Sequence, residues 1–262
     1  MRRGFSLVEL SIVLVILGLL VGGILAGRSL IRASELRSIG SEHHRYKTAV
    51  MAFRDRYFAL PGDMNNATKF WGIAAGTGQD STCRAFASTT TATCNGDGDG
   101  IVGAYNGGTI EDNEIFRFWQ HLANAGLIEG TYTGAAGAGA SNHAVIGTNV
   151  PPAKFPAGGW STYNYNPNGG PTVFQMEYGN TLIFGGPTAD TLTHEKILRP
   201  EEAWNLDSKL DDGMPAYGRV IVRHFGDCTV ANTGTNTKQN HDVSYRLNDA
   251  TIQCMLIFRK QF

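Results

Sequence analysis

An excess of charge of either sign is missing from this chain: 22 Lys and Arg stand against 23 Asp and Glu in 262 residues, a formal net charge of −1. That balance gives no electrostatic reason to expect bulk nucleic-acid binding. The sequence also lacks an HExxH or cysteine/histidine zinc pattern, a GxxxxGK[ST] phosphate loop and a GxSxG elbow. The signatures of zinc peptidases, P-loop nucleotidases and α/β-hydrolases are therefore absent. Cysteine is scarce, with four residues in all, and charge is nearly absent from Phe5 to Gly27, where Glu9 is the one ionisable side chain.

That apolar run meets the roughly 20 residues a helix needs to cross about 30 Å of hydrocarbon. A secretory signal has an apolar core of about 7 to 15 residues, whereas this one is longer and passes directly into a charged helical pattern, so it reads as retained. A carboxylate at a membrane span is costly and points to a functional partner. One turn before Glu9 stands Phe5. A cut between Gly4 and Phe5 would create an ammonium there, able to pair with Glu9 of the same or a neighbouring chain, and a low dielectric strengthens such a pair.

Past the span, Ile39, Tyr46, Val50, Phe53, Tyr57 and Leu60 trace one helical face, the last five stepping by 4, 3, 4 and 3. The opposite face, with Arg37, Glu42, Lys47, Arg54 and Asp55, is expected to meet water, and Pro61-Gly62 ends the helix. Continuous from Phe5 to Leu60, it would be about 84 Å long. Residues 76–108 read as a long loop and 130–148 as a Gly/Ala-rich one. A second helix is expected over 112–125, with Thr109 and Asp112 as its cap pattern and Gly126 at its end. A hairpin is expected within 172–184 around Gly179-Asn180, a helix over 200–212, and strands over 219–225 and 252–258. A long helix followed by loops and an antiparallel sheet is an α+β arrangement.

All four cysteines, Cys83, Cys94, Cys228 and Cys254, lie beyond the span, which suits disulfides in an oxidising compartment. Of the three connectivities, Cys83 with Cys94 and Cys228 with Cys254 close the shortest loops, each bridge worth roughly 3 kcal/mol; four buried thiols are the alternative. In NGDGDGIVG, Asn95, Asp97 and Asp99 alternate, Gly100 takes the turn and Ile101 offers a carbonyl, which is the first half of an EF-hand-like calcium loop. Its twelfth position is Asn106, so a bidentate acid must come from elsewhere, with Glu111 the first candidate and Asp112 and Glu114 beside it. Asp207, Asp211 and Asp212 read as a helix end rather than a site.

RRGFSLVEL with the apolar run after it resembles the cleavage and methylation segment of type IV prepilins and type II secretion pseudopilins. Weaker resemblance extends over ALPGDMNNATKFWG and EEAWNLDSKLDDGMPAYG. The resemblance implies a leader (1–4), an assembly helix (5–27), an amphipathic spine (28–60) and a globular domain (61–262), in a pilin-like fold with the long helix packed on an antiparallel sheet. It implies cleavage after Gly4 and N-methylation of Phe5 by a prepilin peptidase, and recruitment into a filament through Glu9. Implied partners are copies of the chain, other pilins or pseudopilins and an inner-membrane assembly platform, with no specific nucleic acid and no enzymatic activity. The implied location is the inner membrane with the domain in the periplasm, then a surface pilus or a periplasmic pseudopilus. Where many major pilins have a helix-kinking proline, this chain reads Gly22-Gly23-Ile24-Leu25-Ala26, a soft point for packing. The rival from another class is a membrane-anchored periplasmic enzyme or binding protein with an uncut Met1.

Overall fold

A computed structural model describes residues 6–72, 93–103, 105–106, 109–110, 114–138, 142–165, 172–223 and 226–262. Helix α1 runs unbroken over Leu7–Tyr57, 51 residues and about 77 Å. Ser6 caps it: its Oγ accepts the Val8 amide at 3.2 Å while Glu9 Oε2 accepts the Ser6 amide at 2.8 Å, a capping box. At the other end Phe58 takes a left-handed conformation, φ 54, and its amide closes on the Arg54 carbonyl. The chain leaves through Gly62 at φ +86, where a Cβ would stand 2.5 Å from the Glu114 carbonyl oxygen, so glycine is required for the close approach as well as for the turn.

The carboxyl half of α1 is the spine of the domain. Ile39, Tyr46, Val50 and Phe53 are buried, and Tyr57 and Leu60 are half-buried against the same core. Tyr46 meets the edges of Trp119 and Trp160 with centroids 5.1 and 5.5 Å apart, and the His43 ring stacks on Phe258 at 4.2 Å. Glu42 departs from the expected water face. It is buried, its Oε1 accepting the Lys154 amide and its Oε2 the Trp160 indole N–H, both at 2.8 Å. A charge can occupy a core position when each oxygen receives a donor, which residue type alone does not show.

Helix α2 is one turn, Thr68–Trp71; α3 is Glu114–Asn124 and α4 is Pro200–Leu210. Two short strands, β1 (Tyr105–Asn106) and β2 (Thr109–Ile110), pair within the loop that precedes α3. The main sheet is antiparallel in the order β3 (Gly159–Tyr165), β4 (Gly179–Gly185), β8 (Leu256–Phe258), β5 (Val220–Val222). A separate ribbon pairs β6 (Thr229–Ala231) with β7 (Val243–Tyr245). Successive side chains on β3 point to opposite faces. Trp160 turns to Glu42 of α1, and Ser161 bonds Thr193 Oγ1 at 2.7 Å, so the spine covers one face and the 191–194 segment the other. Strands buried on both faces read as apolar runs, as LIF and VIV do.

The α+β architecture, a long helix on an antiparallel sheet, is as expected, and the observed α4, β5 and β8 fall inside the expected segments. The hairpin within 172–184 is not formed. Gly179 has the expected positive φ of 62, but it opens β4, whose partner is β3 with Tyr165 opposite Gly179, while Val173, Phe174 and Tyr178 enter the core without strand pairing. A short-range turn signal lost to long-range pairing. Cys228 and Cys254 form a disulfide with Cα atoms 5.0 Å apart, tying the β6 ribbon to the approach of β8. Cys94 is also disulfide-bonded; its expected partner Cys83 lies outside the described residues.

Candidate assembly helix and acidic loop

Among the described residues, no part of the protein covers the apolar amino-terminal stretch of α1. Leu7, Leu19 and Leu30 are 85, 73 and 71% exposed, and the apolar 18-residue window that qualifies the helix to cross a membrane is 0% buried. Added methyl groups at Gly18, Gly22, Gly23 and Gly27 would meet nothing within 4 Å. The charged exception, Glu9, faces the start of the helix, where its carboxylate already holds the Ser6 amide. Position 5 is the residue directly before that amide. Gly4 and Phe5 themselves lie outside the described residues. An acid in the first turn is also favoured by the helix dipole. Residues 1–25 carry a prokaryotic N-terminal methylation motif. This is the prepilin-type cleavage and methylation segment of type IV pilins and pseudopilins. No curated protein and no solved structure matches the chain. The prepilin-type segment therefore coincides with the part of the molecule that its own domain leaves bare.

Where the helix enters the domain, Arg32 clamps Glu202 of α4 through Nε to Oε1 at 2.6 Å and Nη2 to Oε2 at 2.8 Å. Arg32 also reaches Glu35 at 3.3 Å, and its guanidinium lies 4.3 Å over the Phe155 ring. The Arg32 partner holds the Glu202 carboxyl below the ordinary range, against the opposing effect of burial. Gly40 then lets Leu210 of α4 approach to 3.3 Å from where a Cβ would be. These contacts fix the bare helix to the domain at one angle.

The acidic loop lies at the far end of the spine. Asn95, Asp97 and Asp99 of the expected calcium loop each turn one side-chain oxygen to a backbone amide. Asn95 Oδ1 accepts the Thr68 amide at 2.9 Å, Asp97 Oδ1 the Asp99 amide at 3.0 Å, and Asp99 Oδ1 the Ile101 amide at 2.7 Å. Glu111 and Asp112 lie outside the described residues. The acids that do gather are Asp63, Asp97 and Glu114, with one carboxylate oxygen from each within 4.8 Å of the others. Asp63 accepts the Gly98 and Gly100 amides at 2.7 and 3.1 Å, and Glu114 the Asp97 and Gly103 amides at 3.1 and 3.2 Å. Burial, with the neighbouring acids adding to it, raises Asp63 to about 6 and Glu114 to about 8. The loop thus wraps its N–H groups around two buried acids.

Two further residues shape this loop. Asn180 Oδ1 accepts the Val102 amide and the Asn164 side-chain amide, both at 3.0 Å, while its Nδ2 donates to the Gly100 carbonyl at 3.0 Å. His121 is fully buried, its Nδ1 accepting the Gly62 amide at 3.0 Å and its Nε2 donating to the Cys94 carbonyl at 3.1 Å, and burial lowers it to about 3. Sequence reading missed Asp63 and assigned Asn180 to a turn. Asp63 follows the helix-stopping Pro61-Gly62, a signal for backbone shape that carries no hint of a loop arriving from 35 residues downstream.

Proposed function

We propose that this chain is a structural subunit of a type IV pilus-like filament, processed by a prepilin peptidase and assembled through its amino-terminal helix. The observation that supports it is the coincidence of a methylation motif with a helix bare over its whole apolar window. An exposed apolar surface of this size needs a cover. In the monomer lipid supplies it; in a filament the same stripes on other copies replace the lipid, in a head-to-tail arrangement that does not close. Cleavage after Gly4 leaves the Phe5 ammonium one residue from the Ser6 amide that Glu9 already holds. Glu9 is thereby placed to exchange a neutral amide for a cation, its own or a neighbour's, in a medium where the charge pair is strong.

Glu9→Val tests this reading. The expected result is a full-length, membrane-inserted, methylated subunit and at least a tenfold loss of filament from the sheared surface fraction. Normal filament yield would sink the proposal, and an intact Met1 in every fraction would return the chain to the anchored enzyme or binding protein. The type II secretion pseudopilin is the second reading, separated by whether N-methylated Phe5 peptides occur in the sheared fraction. A structural calcium ion at the acidic loop belongs to the same proposal. Asp63, Asp97 and Glu114 would be its ligands, and a cation there would relieve the mutual repulsion of two buried carboxylates.

A further inference from the structure

The second gathering of acids in the domain lies at the carboxyl end of α4. One carboxylate oxygen each from Asp207, Asp211 and Asp212 falls within 4.8 Å of the others. Asp207, in the last turn, is completely buried. Its Oδ2 accepts the Tyr245 hydroxyl at 2.8 Å, and its Oδ1 has no hydrogen-bond partner. The Gly213 amide lies near enough to favour the charged form without reaching Oδ1 in hydrogen-bond geometry. With Tyr245 on the other oxygen, Oδ1 is the atom left to the cluster. A buried carboxylate oxygen with nothing bound to it is an expensive arrangement that calls for a ligand.

The surroundings sharpen that requirement. Asp211 caps α4 and turns Oδ2 to the Arg219 and Val220 amides at the start of β5; Asp212 Oδ1 accepts the Met214 amide at 2.8 Å. Asp211 Oδ1 and Asp212 Oδ2 accept no hydrogen bond among the described residues, and none of the three acids makes an ion pair among them. Gly218, at φ +66, sits where a Cβ would overlap Asp211 Oδ2 and stand 2.8 Å from Asp212 Oδ2, so the segment 211–220 folds closely over the carboxylates. A helix carboxyl terminus carries a partial negative charge and favours cations, whereas this one carries three acids. Burial first, and then the Asp212 and Asp211 charges, push Asp207 up to about 7 against the Tyr245 hydroxyl.

We propose that Asp207, Asp211 and Asp212 bind a divalent cation of calcium's size, with Asp207 Oδ1 as the buried ligand. An all-oxygen, triply anionic set selects a hard cation. Oxygens up to 4.8 Å apart can share one ion when each bond is about 2.4 Å, as for calcium, whereas magnesium at about 2.1 Å would require them to close in. The acidic loop differs in kind: there each oxygen of Asp63 and Glu114 already accepts a backbone amide. The ion would tie the end of α4, which Arg32 joins to α1, to β5 in the main sheet and through Tyr245 to β7.

The test uses the full chain purified in detergent and stripped with a chelator. Titration with terbium, read by emission excited through tyrosine, should give a signal that calcium displaces, because Tyr245 touches the ligand carboxylate. Saturating calcium should raise the melting temperature by about 5 °C or more. Asp212→Asn keeps the turn to Met214 at an exposed position, so its cation-free melting and circular dichroism should match the parent, while its affinity for either ion falls at least tenfold. Asp97→Asn, in the acidic loop with its own proposed ion, should leave the tyrosine-excited terbium affinity unchanged, whatever it does to melting. Equal affinity in Asp212→Asn, loss of the tyrosine-excited signal in Asp97→Asn instead, or no calcium response in the parent would each overturn the assignment.

Discussion

Glu42 shows how one residue sets the seat of the spine. Its two oxygens serve the Lys154 amide and the Trp160 indole, joining α1 to the entry of β3 and to the buried aromatic cluster of Tyr46, Trp119 and Trp160. The Trp160 indole is buried with it and the Lys154 amide partly so, and satisfying both depends on a group with two acceptors. Glu42→Gln keeps shape and volume but turns an NH2 towards one of the donors, leaving that donor unsatisfied and facing another. A loss of about 1 to 3 kcal/mol is expected, read by denaturant titration of the detergent-solubilised chain with Trp fluorescence, and the affected Trp160 should report it directly. An unchanged midpoint would mean that water replaces the carboxylate at this site. Glu42→Leu should cost more, because both donors then lose their partner.

Helix α1 is one element with two solvents. Its carboxyl half is specified by tertiary packing, whereas its apolar amino-terminal window is unburied among the described residues and is held by helix propensity, the Ser6 and Glu9 cap and the absence of water in a bilayer. Gly22 and Gly23 lie in the bare half, where glycine lowers helix propensity by about 1 kcal/mol each relative to alanine in water. The helix nevertheless runs through them without interruption in the isolated subunit. Since an added Cβ meets nothing within 4 Å, Gly22→Ala with Gly23→Ala should leave the monomer's helix content equal or higher. If the pair is where the helix yields on packing into a filament, the same variant should cut filament yield several-fold while the membrane pool of methylated subunit rises. Undiminished filaments would assign the glycines to close approach or to nothing, and α1 would enter the assembly straight.

At the scale of the whole molecule, legibility follows the range of the interactions. The span, the spine face and α4 were readable because each is written in local periodicity and caps, and Glu9 because no local apolar pattern explains it. The partner of β4, the burial of Glu42 and the role of Asn180 were not, since each is settled by a segment that arrives from far along the chain: β8 onto β4, Trp160 onto α1, residues 100–102 onto β4. Among the acidic sites the loop spacing pointed to Asp97, but the buried acids that organise the loop, Asp63 and Glu114, come from opposite sides of it. These acids give the molecule a particular response to pH. Glu114, Asp207 and Asp63 are raised to about 8, 7 and 6 by burial first, so the native chain holds protons that the unfolded chain has released. Their contribution is complete below the ordinary carboxylate values and is lost as pH rises through the native ones. His43 and His121 run the other way. Burial lowers them to about 4 and 3, so stability from them is lost as pH falls below about 6.5, the ordinary imidazole value. Between about pH 7 and 8 the histidines are mostly neutral in both states and the acids dominate. In chelator the unfolding free energy should therefore fall by the order of 1 kcal/mol per pH unit across that window. Saturating calcium should flatten the slope, because a bound cation replaces the protons; Asp207→Asn should flatten the part centred near its titration. A slope of opposite sign in chelator would show that the clustered carboxylates are already neutralised by partners within the chain.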